Sequence, residues 1–410
     1  MKTTSLLRTL AACLGAATLL AACGGGGGGG APVSPYGVSS DFEGICTVES
    51  QKKFVRAYLD EVYLWYDEIR DVDPANYSRP ADYFNALLVK TPDANGLPRD
   101  RFSAVLPTSQ ASDVLLQSLD PATLLKTHTD AVPTTRTDTT SGGRKIGYIL
   151  FNDHEFGAQD DLITAFRQIQ PQGVQDLVLD LRDNSGGYLY VAQTAASMIV
   201  GPANEGQVFE QLRYNSKRTA ETAASTLRFS SKVQYEDTSK QYPVGTDLPQ
   251  LALPRVFVLT TGRTCSASES IINALRGIGV QVVRIGTTTC GKPYGFRRKD
   301  NCGLSYYPIE FQGTNAAGFG DYTTGFAPTC QVQETILTLP DGTKRRATPG
   351  SSEDALFTAA KYYIDNNACQ PNTATGVMSA AAPQMSADPA QQPTRPSWAG
   401  RLLLPQQQPR

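Results

Sequence analysis

Histidine is almost missing from this chain: there are two in 410 residues, His128 and His154. That excludes a histidine-built metal site and leaves imidazole, the usual base beside a nucleophile, scarce. No C-x-x-C pair occurs either, so neither a metal nor a cofactor is expected. Positive charge is not in excess, with 37 Lys and Arg against 39 Asp and Glu and a net charge of −2. A nucleic-acid partner is therefore not expected. The basic clusters Arg297-Arg298-Lys299 and Lys344-Arg345-Arg346 are short and read as solvated turns. Past residue 22 no stretch approaches the ~20 apolar residues of a membrane helix.

What is present begins with a targeting pattern. Lys2 and Arg8 precede the apolar stretch Leu10–Leu20, and Leu20-Ala21-Ala22-Cys23 is a small-residue cleavage pattern that ends in cysteine. Residues 1–22 resemble a bacterial lipoprotein signal peptide, with Cys23 as the acylated first residue and a lipid anchor in the membrane. Gly24 after it, rather than aspartate, implies by that resemblance a periplasm-facing anchor in the outer membrane. Residues 23–41, with the unbroken run Gly24–Gly30, read as a flexible tether. Of eight cysteines, six remain after Cys13 and Cys23 are set aside. An even number in an exported chain suggests disulfides, and fifteen pairings are open. Cys290 and Cys302 bracket what reads as a hairpin and are the pair expected.

Residues 42–117 read as a small helical domain. Phe54, Tyr58, Val62, Trp65 and Ile69 form one stripe of a helix over Ser50–Arg70, and Ala81–Lys90 reads as a second helix. Ser50-Gln51-Lys52-Lys53 matches the S-x-x-K nucleophile pattern, but no S-D-N or K-T-G accompanies it, so Ser50 is read as the helix N-cap. Residues 118–144 are polar and threonine-rich, a linker. From residue 145 to 369 the pattern is a mixed α/β core. Ile146–Phe151, Val174–Leu181, Val256–Thr260 and Val280–Ile285 read as strands, and Ala158–Gln170, Tyr190–Val200 and Ser352–Asn366 as helices. Gln207–Tyr242 alternates weakly and reads as an antiparallel hairpin at the sheet edge. Leu304–Phe311 and Glu334–Leu339 are expected to close that sheet. Residues 370–410, rich in Pro, Gln, Ala and Ser, read as a disordered tail, with one short apolar stretch at Trp398–Leu404.

Two units repeat the order strand, turn, helix. One turn is Arg182-Asp183-Asn184-Ser185-Gly186-Gly187; the other leads into Cys265-Ser266-Ala267-Ser268-Glu269. A serine at a strand-to-helix turn is held rigidly, with the first helix N–H groups nearby to receive an anion. With histidine scarce, Lys292, on the loop after the next strand, is the candidate base. Ser266 would attack a carbonyl, Lys292 would take its proton, and the N–H groups of Gly187 and Ala267 would hold the oxyanion, each such donor being worth ~2.7–4 kcal/mol. Lysine has a free pKa of ~10.4 and a working base wants ~7–8, so the site must disfavour the ammonium by roughly 3–4 kcal/mol. A Glu269 carboxylate close to Lys292 would work against that, so Glu269 is expected to face elsewhere. It and Ser268 are kept as supporting candidates.

The combination L-D-L-R-D-N-S-G-G at Leu179–Gly187, S-A-S-E from Ser266 and G-K at Lys292, each in order, resembles the C-terminal processing proteases, serine peptidase family S41. The resemblance implies a spiral core similar to ClpP and crotonase, a Ser266/Lys292 dyad, Gly187 as an oxyanion donor, and an unfolded or C-terminal polypeptide segment of exported proteins as substrate. Two departures stand out. The family often has a glutamine four residues after the lysine, where this chain has Phe296. Residues 118–144 are also too few for the PDZ domain that many members carry. A non-catalytic polypeptide-binding protein and a hydrolase of small esters or amides are the alternatives. A histidine base, as in tricorn-like relatives, would need His128 or His154. The oligomeric state is left open.

Overall fold

The computed structural model describes residues 34–110, 130–237, 241–371 and 402–403. The signal, Cys23, the glycine run, His128 and most of the tail lie outside the described residues. No described helix is long and apolar enough to cross a membrane.

Helix α1 spans Val48–Val62. Thr47, not Ser50, caps it, its hydroxyl accepting from the Ser50 N–H at 3.3 Å. The helix also stops short of the predicted Arg70, because tertiary partners take over. Tyr63 turns extended and donates its hydroxyl to Asp100 at 2.6 Å, while the Leu64 N–H donates to Ile309 O at 2.8 Å. Helix α2, Pro80–Leu87, opens on a proline, whose missing N–H costs nothing at that position. Strand β1, Ala104–Pro107, then pairs antiparallel with Leu304–Tyr307. The N-terminal region is thus not purely helical. Phe54, Tyr63, Phe84 and Phe102 pack in one cluster with Tyr294, Phe296, Tyr306 and Ile309.

Strand β2, Thr134–Thr139, occupies what the sequence reads as linker. Its β-branched residues suit an edge strand, and it pairs antiparallel with β3, Lys145–Leu150. Helix α3, Ala158–Ile169, leads to β4, Asp176–Asp180. After the glycine turn come β5, Gly187–Tyr188, and α4, Leu189–Ile199. Strand β6, Val208–Tyr214, short helix α5, Thr219–Ala224, and β7, Thr226–Arg228, follow. The second unit is β8, Arg255–Thr260, and α6, Ala267–Gly277, and then β9, Gln281–Gly286. Beyond it lie β10, Tyr294–Gly295, β11, Lys299–Asn301, β12, Leu304–Tyr307, β13, Phe311–Thr314, and β14, Cys330–Gln331. The hairpin β15, Ile336–Thr338, and β16, Lys344–Arg346, precedes α7, Ala355–Asn366. A last strand, β17, is Leu402–Leu403.

The main sheet has the order β14-β9-β8-β4-β3-β2, parallel from β14 to β3. Alternation explains its layers. Leu177, Leu179, Val256 and Val258 face the core shared with α3, α4 and α6, whereas Val178, Phe257, Leu259 and Val283 face α7. Two expectations fail here. The β6–β7 pair is not at the edge of this sheet but belongs to a separate one, β10-β13-β6-β7, and its Phe209 and Leu212 point into the main core. Nor do β12 and β15 close the main sheet; β12 joins β1 and β11, and β15 pairs only with β16, while β14 takes the edge.

Candidate active site

Three neighbouring parallel strands, β4, β8 and β9, end side by side, and the turns that follow them converge. A crevice at the carboxyl ends of such strands is the usual place for a ligand in an α/β sheet. The turn after β8 carries Ser266, which is fully buried and has φ 58° and ψ −116°. A side chain at positive φ is held there only if its surroundings over-determine it. They do: Thr264 donates its hydroxyl to Leu181 O at 2.8 Å, and the Cys265 N–H donates to Asn184 O at 3.1 Å. The Ser266 hydroxyl stands at the N-cap of α6 in a capping-box arrangement with Glu269 but makes no hydrogen bond of normal geometry among the described residues.

The glycine turn after β4 lies directly against this serine. Gly186 has φ +91°, and a Cβ there would sit 2.7 Å from Cys265 O, 2.8 Å from Ala267 N and 2.8 Å from Ser266 Cβ. Gly187, at φ +150°, leaves no more room, since a Cβ would come within 2.5 Å of His154 O. Only glycine permits this approach. Ala267 is the first residue of α6, so its N–H has no acceptor within the helix. Behind the turn, Asp180, Arg182 and Asp354 are all buried; Arg182 donates to Asp180 and, at 2.5 and 3.1 Å, to Asp354.

Lys292 is also fully buried. Its Nζ lies 4.6 Å from the centre of the Phe296 ring and 5.3 Å from that of Phe102. Phe296 therefore sits beneath the amine, and the N-terminal region supplies the second ring.

Glu269 does not face elsewhere, as expected from the sequence; it joins the two turns. One carboxylate oxygen accepts from Ser266 N–H at 3.0 Å and from Lys292 N–H at 2.8 Å, and the other from Gly291 N–H at 2.9 Å and from the Thr289 hydroxyl. The misjudgement has a physical source. A carboxylate beside a lysine reads as a charge pair in the sequence, whereas this one is engaged by the backbone N–H groups around it. Burial pushes its pKa above the ordinary range while those donors pull it down. Ser268, one residue earlier, points the other way and donates to Asn184 O at 3.0 Å. Consecutive side chains at the start of α6 thus hold one turn each.

The disulfides correct the Cys290–Cys302 expectation. Cys265 pairs with Cys290, Cys46 with Cys302 and Cys330 with Cys369. The hairpin ends at Cys302 are met by the N-terminal region, which the sequence could not bring there. The Cys265–Cys290 bond links the residue before Ser266 to the loop of Lys292. Among the described residues Cys265, Glu269 and Cys290 form a group of metal-ligand type, but the disulfide consumes both thiolates.

His154 is buried and its Nδ1 lies 2.9 Å from Asn184 Oδ1. That oxygen also accepts from Gly186 N–H at 2.9 Å. Burial lowers the histidine pKa to about 3 despite the asparagine bond, so the ring is neutral. The His154 carbonyl accepts from Tyr188 N–H at 2.8 Å. His154 therefore props the glycine turn. Sequence reading missed Asn184 and Thr289 as site residues. Asn184 stood inside the quoted L-D-L-R-D-N-S-G-G, and nothing local marked Thr289.

Residues 145–299 match the model of peptidase family S41, and residues 50–104 match that of the peptidase S41 N-terminal domain. The chain is 30% identical over 156 residues to a carboxyl-terminal-processing protease of Picosynechococcus sp., covering 37% of this chain and 30% of that protein. It is 27% identical over 150 residues to a carboxy-terminal processing protease of Bacillus subtilis, covering 37% and 26%. The chain thus spans less than a third of the length of these relatives. In fold it is similar to a crystal structure from Bacteroides fragilis assigned to the S41 proteases, with a TM-score of 0.59 and 20% identity over 77% of this chain and 97% of that one.

Proposed function

This chain belongs to peptidase family S41, and from that premise we propose that it is a serine-type endopeptidase working through Ser266 and Lys292. The observation that carries the reading is the buried Ser266 hydroxyl, which makes no hydrogen bond of normal geometry, at the meeting point of the glycine turn and the lysine loop. Ser266 Oγ attacks the carbonyl carbon of a peptide bond, and its proton passes to a neutral Lys292 Nζ. The N–H groups of Gly187 and Ala267 receive the oxyanion. As the C–N bond breaks, Lys292 returns the proton to the leaving amine. Water then attacks the acyl-enzyme, Lys292 takes a proton from it, and that proton goes back to Ser266. Full burial of Lys292 works against an ammonium, which supports the base role, whereas the Phe296 and Phe102 ring faces favour the cation; Phe296 takes the sequence position of the family glutamine.

The substrate we propose is an unfolded or C-terminal segment of an exported polypeptide, met by a chain anchored through Cys23 on the periplasmic side of the outer membrane. Three disulfides support an oxidising compartment. The test is degradation of casein and of tail peptides by the chain, by Ser266→Ala and by Lys292→Ala across pH. Both variants should lose turnover, and the wild-type rate should rise through an apparent pKa below the ~10.4 of free lysine. Equal inertness of all three at every pH would overturn the reading.

A further inference from the structure

β5 is paired on both edges. His154 bridges Gly187 on one side, and on the other β17 runs parallel to it, Leu402 opposite Gly187 and Leu403 opposite Tyr188. β17 also comes within 8 Å, Cα to Cα, of β10, two residues beyond Lys292. Leu402–Leu403 therefore lie beside both the glycine turn and the strand that follows the lysine loop, as an added strand on the edge where Gly187 begins. The sequence makes this segment distinct. Trp398–Leu404 is a short apolar stretch in a tail rich in Pro, Gln, Ala and Ser, and Pro405 follows it at once. Proline cannot donate to a ladder, so the strand has a natural end.

We infer that the Gly187–Tyr188 edge is a strand-addition site whose resident ligand is the chain's own C-terminal segment, and that this segment competes with polypeptide substrate. Strand addition takes affinity from main-chain hydrogen bonds and so accepts many sequences. The chain length permits it. The thirty residues from 372 to 401 can span up to ~100 Å at ~3.3–3.6 Å each. A tether of this length gives its end an effective concentration on the order of 1 mM, so even a segment that binds weakly on its own would occupy the edge. A free peptide with an intrinsic Kd of ~100 μM would bind about ten-fold more weakly while the tail is seated. Docking stands by itself; the competition rests on the peptidase reading.

The experiment uses full-length chains and a fluorescein-labelled peptide of residues 397–410. Fluorescence anisotropy compares Ser266→Ala with Ser266→Ala carrying Leu402→Pro and Leu403→Pro, which removes the strand's donors. The proline chain should bind the peptide about ten-fold more tightly, with an unchanged Tm. With Ser266 intact, the proline chain should show about ten-fold higher kcat/KM on casein peptides, and added tail peptide should reverse the gain. Equal peptide affinity for both chains overturns the inference. A ten-fold difference in binding with no turnover in any chain keeps the docking and sinks the peptidase reading instead. A difference that grows with protein concentration, with dimers in sedimentation, overturns the assignment to the chain's own tail. Loss of the last residues from the wild type but not from Ser266→Ala, by intact mass, overturns the competitor role, because the tail would then be a substrate.

Discussion

Two strand–turn–helix units built on one plan stand side by side, β4 to α4 and β8 to α6, and they hold their turns by different means. The first presents bare backbone. Gly186 is pressed against the Ser266 turn and Gly187 against His154, and side chains support them: Asn184 and His154 on one side, Asp180, Arg182 and Asp354 on the other. The second presents a side chain in a strained conformation. It is tied sideways to the next turn by the Glu269 carboxylate and by the Cys265–Cys290 bond. The difference teaches a division of labour. A turn that supplies N–H groups needs only shape, which small residues and buried hydrogen bonds provide. On the mechanism we propose, the turn that supplies the reacting atom must also be held at a fixed offset from its base.

The sharpest way to break the comparison is to put a methyl group on one turn and remove a hydroxyl from the other. Gly186→Ala drives a Cβ to 2.7 Å from Cys265 O at φ +91° and should lower both turnover and stability, the latter by about 1–3 kcal/mol. Ser266→Ala should abolish turnover with Tm little changed, because the buried hydroxyl it deletes makes no hydrogen bond of normal geometry and is at most a weak cap of α6. Thermal unfolding beside the peptidase assay separates them; a destabilised Ser266→Ala chain would erase the distinction.

A smaller effect on rate tests which tie matters more. Glu269→Gln replaces one acceptor oxygen with an NH2 group among N–H donors, and should lower kcat by roughly the ten- to hundred-fold that ~1.5–3 kcal/mol of lost charged hydrogen bonding implies. Cys265→Ser with Cys290→Ser opens a loop of sequence separation 25 and should cost about 3–4 kcal/mol of stability. Its kcat should fall less, since Glu269 still bridges the turns. The opposite ranking would make the disulfide the positioning element.

A last test, on stability rather than on rate, concerns pH. Behind α6, Glu210 is buried and its pKa is pushed up to about 8, whereas Asp180, behind the glycine turn, is paired with Arg182. The folded state thus holds the Glu210 proton more tightly than the unfolded chain does. Its contribution is full below the ordinary value of ~4.3 and is lost as pH rises through about 8. Glu210→Gln should flatten denaturant stability across that window; an unchanged slope would place the proton elsewhere.

Much of the frame was legible in the chain. β3, β4, β8 and β9 and their helices followed from apolar runs and periodicity, and Ser266, Lys292 and the glycine turn from their place at strand ends. What was not legible depends on contacts distant in sequence. The end of α1 is set by Asp100 and Ile309, the partner of Cys302 is Cys46, and β6 finds β13 about a hundred residues away. Glu269 was misjudged because a carboxylate near a lysine reads as a charge pair until the backbone N–H groups around it are known.

The Cys46–Cys302 bond has a consequence of another kind. Its sequence separation of 256 closes most of the described chain into a covalent ring, from before α1 to just past the lysine loop. One break in the main chain anywhere inside that ring opens it without releasing a piece. Accidental nicks thus become survivable, because both sides of the break stay covalently attached. They would be seen only as two bands after reduction, where the unreduced chain still runs as one.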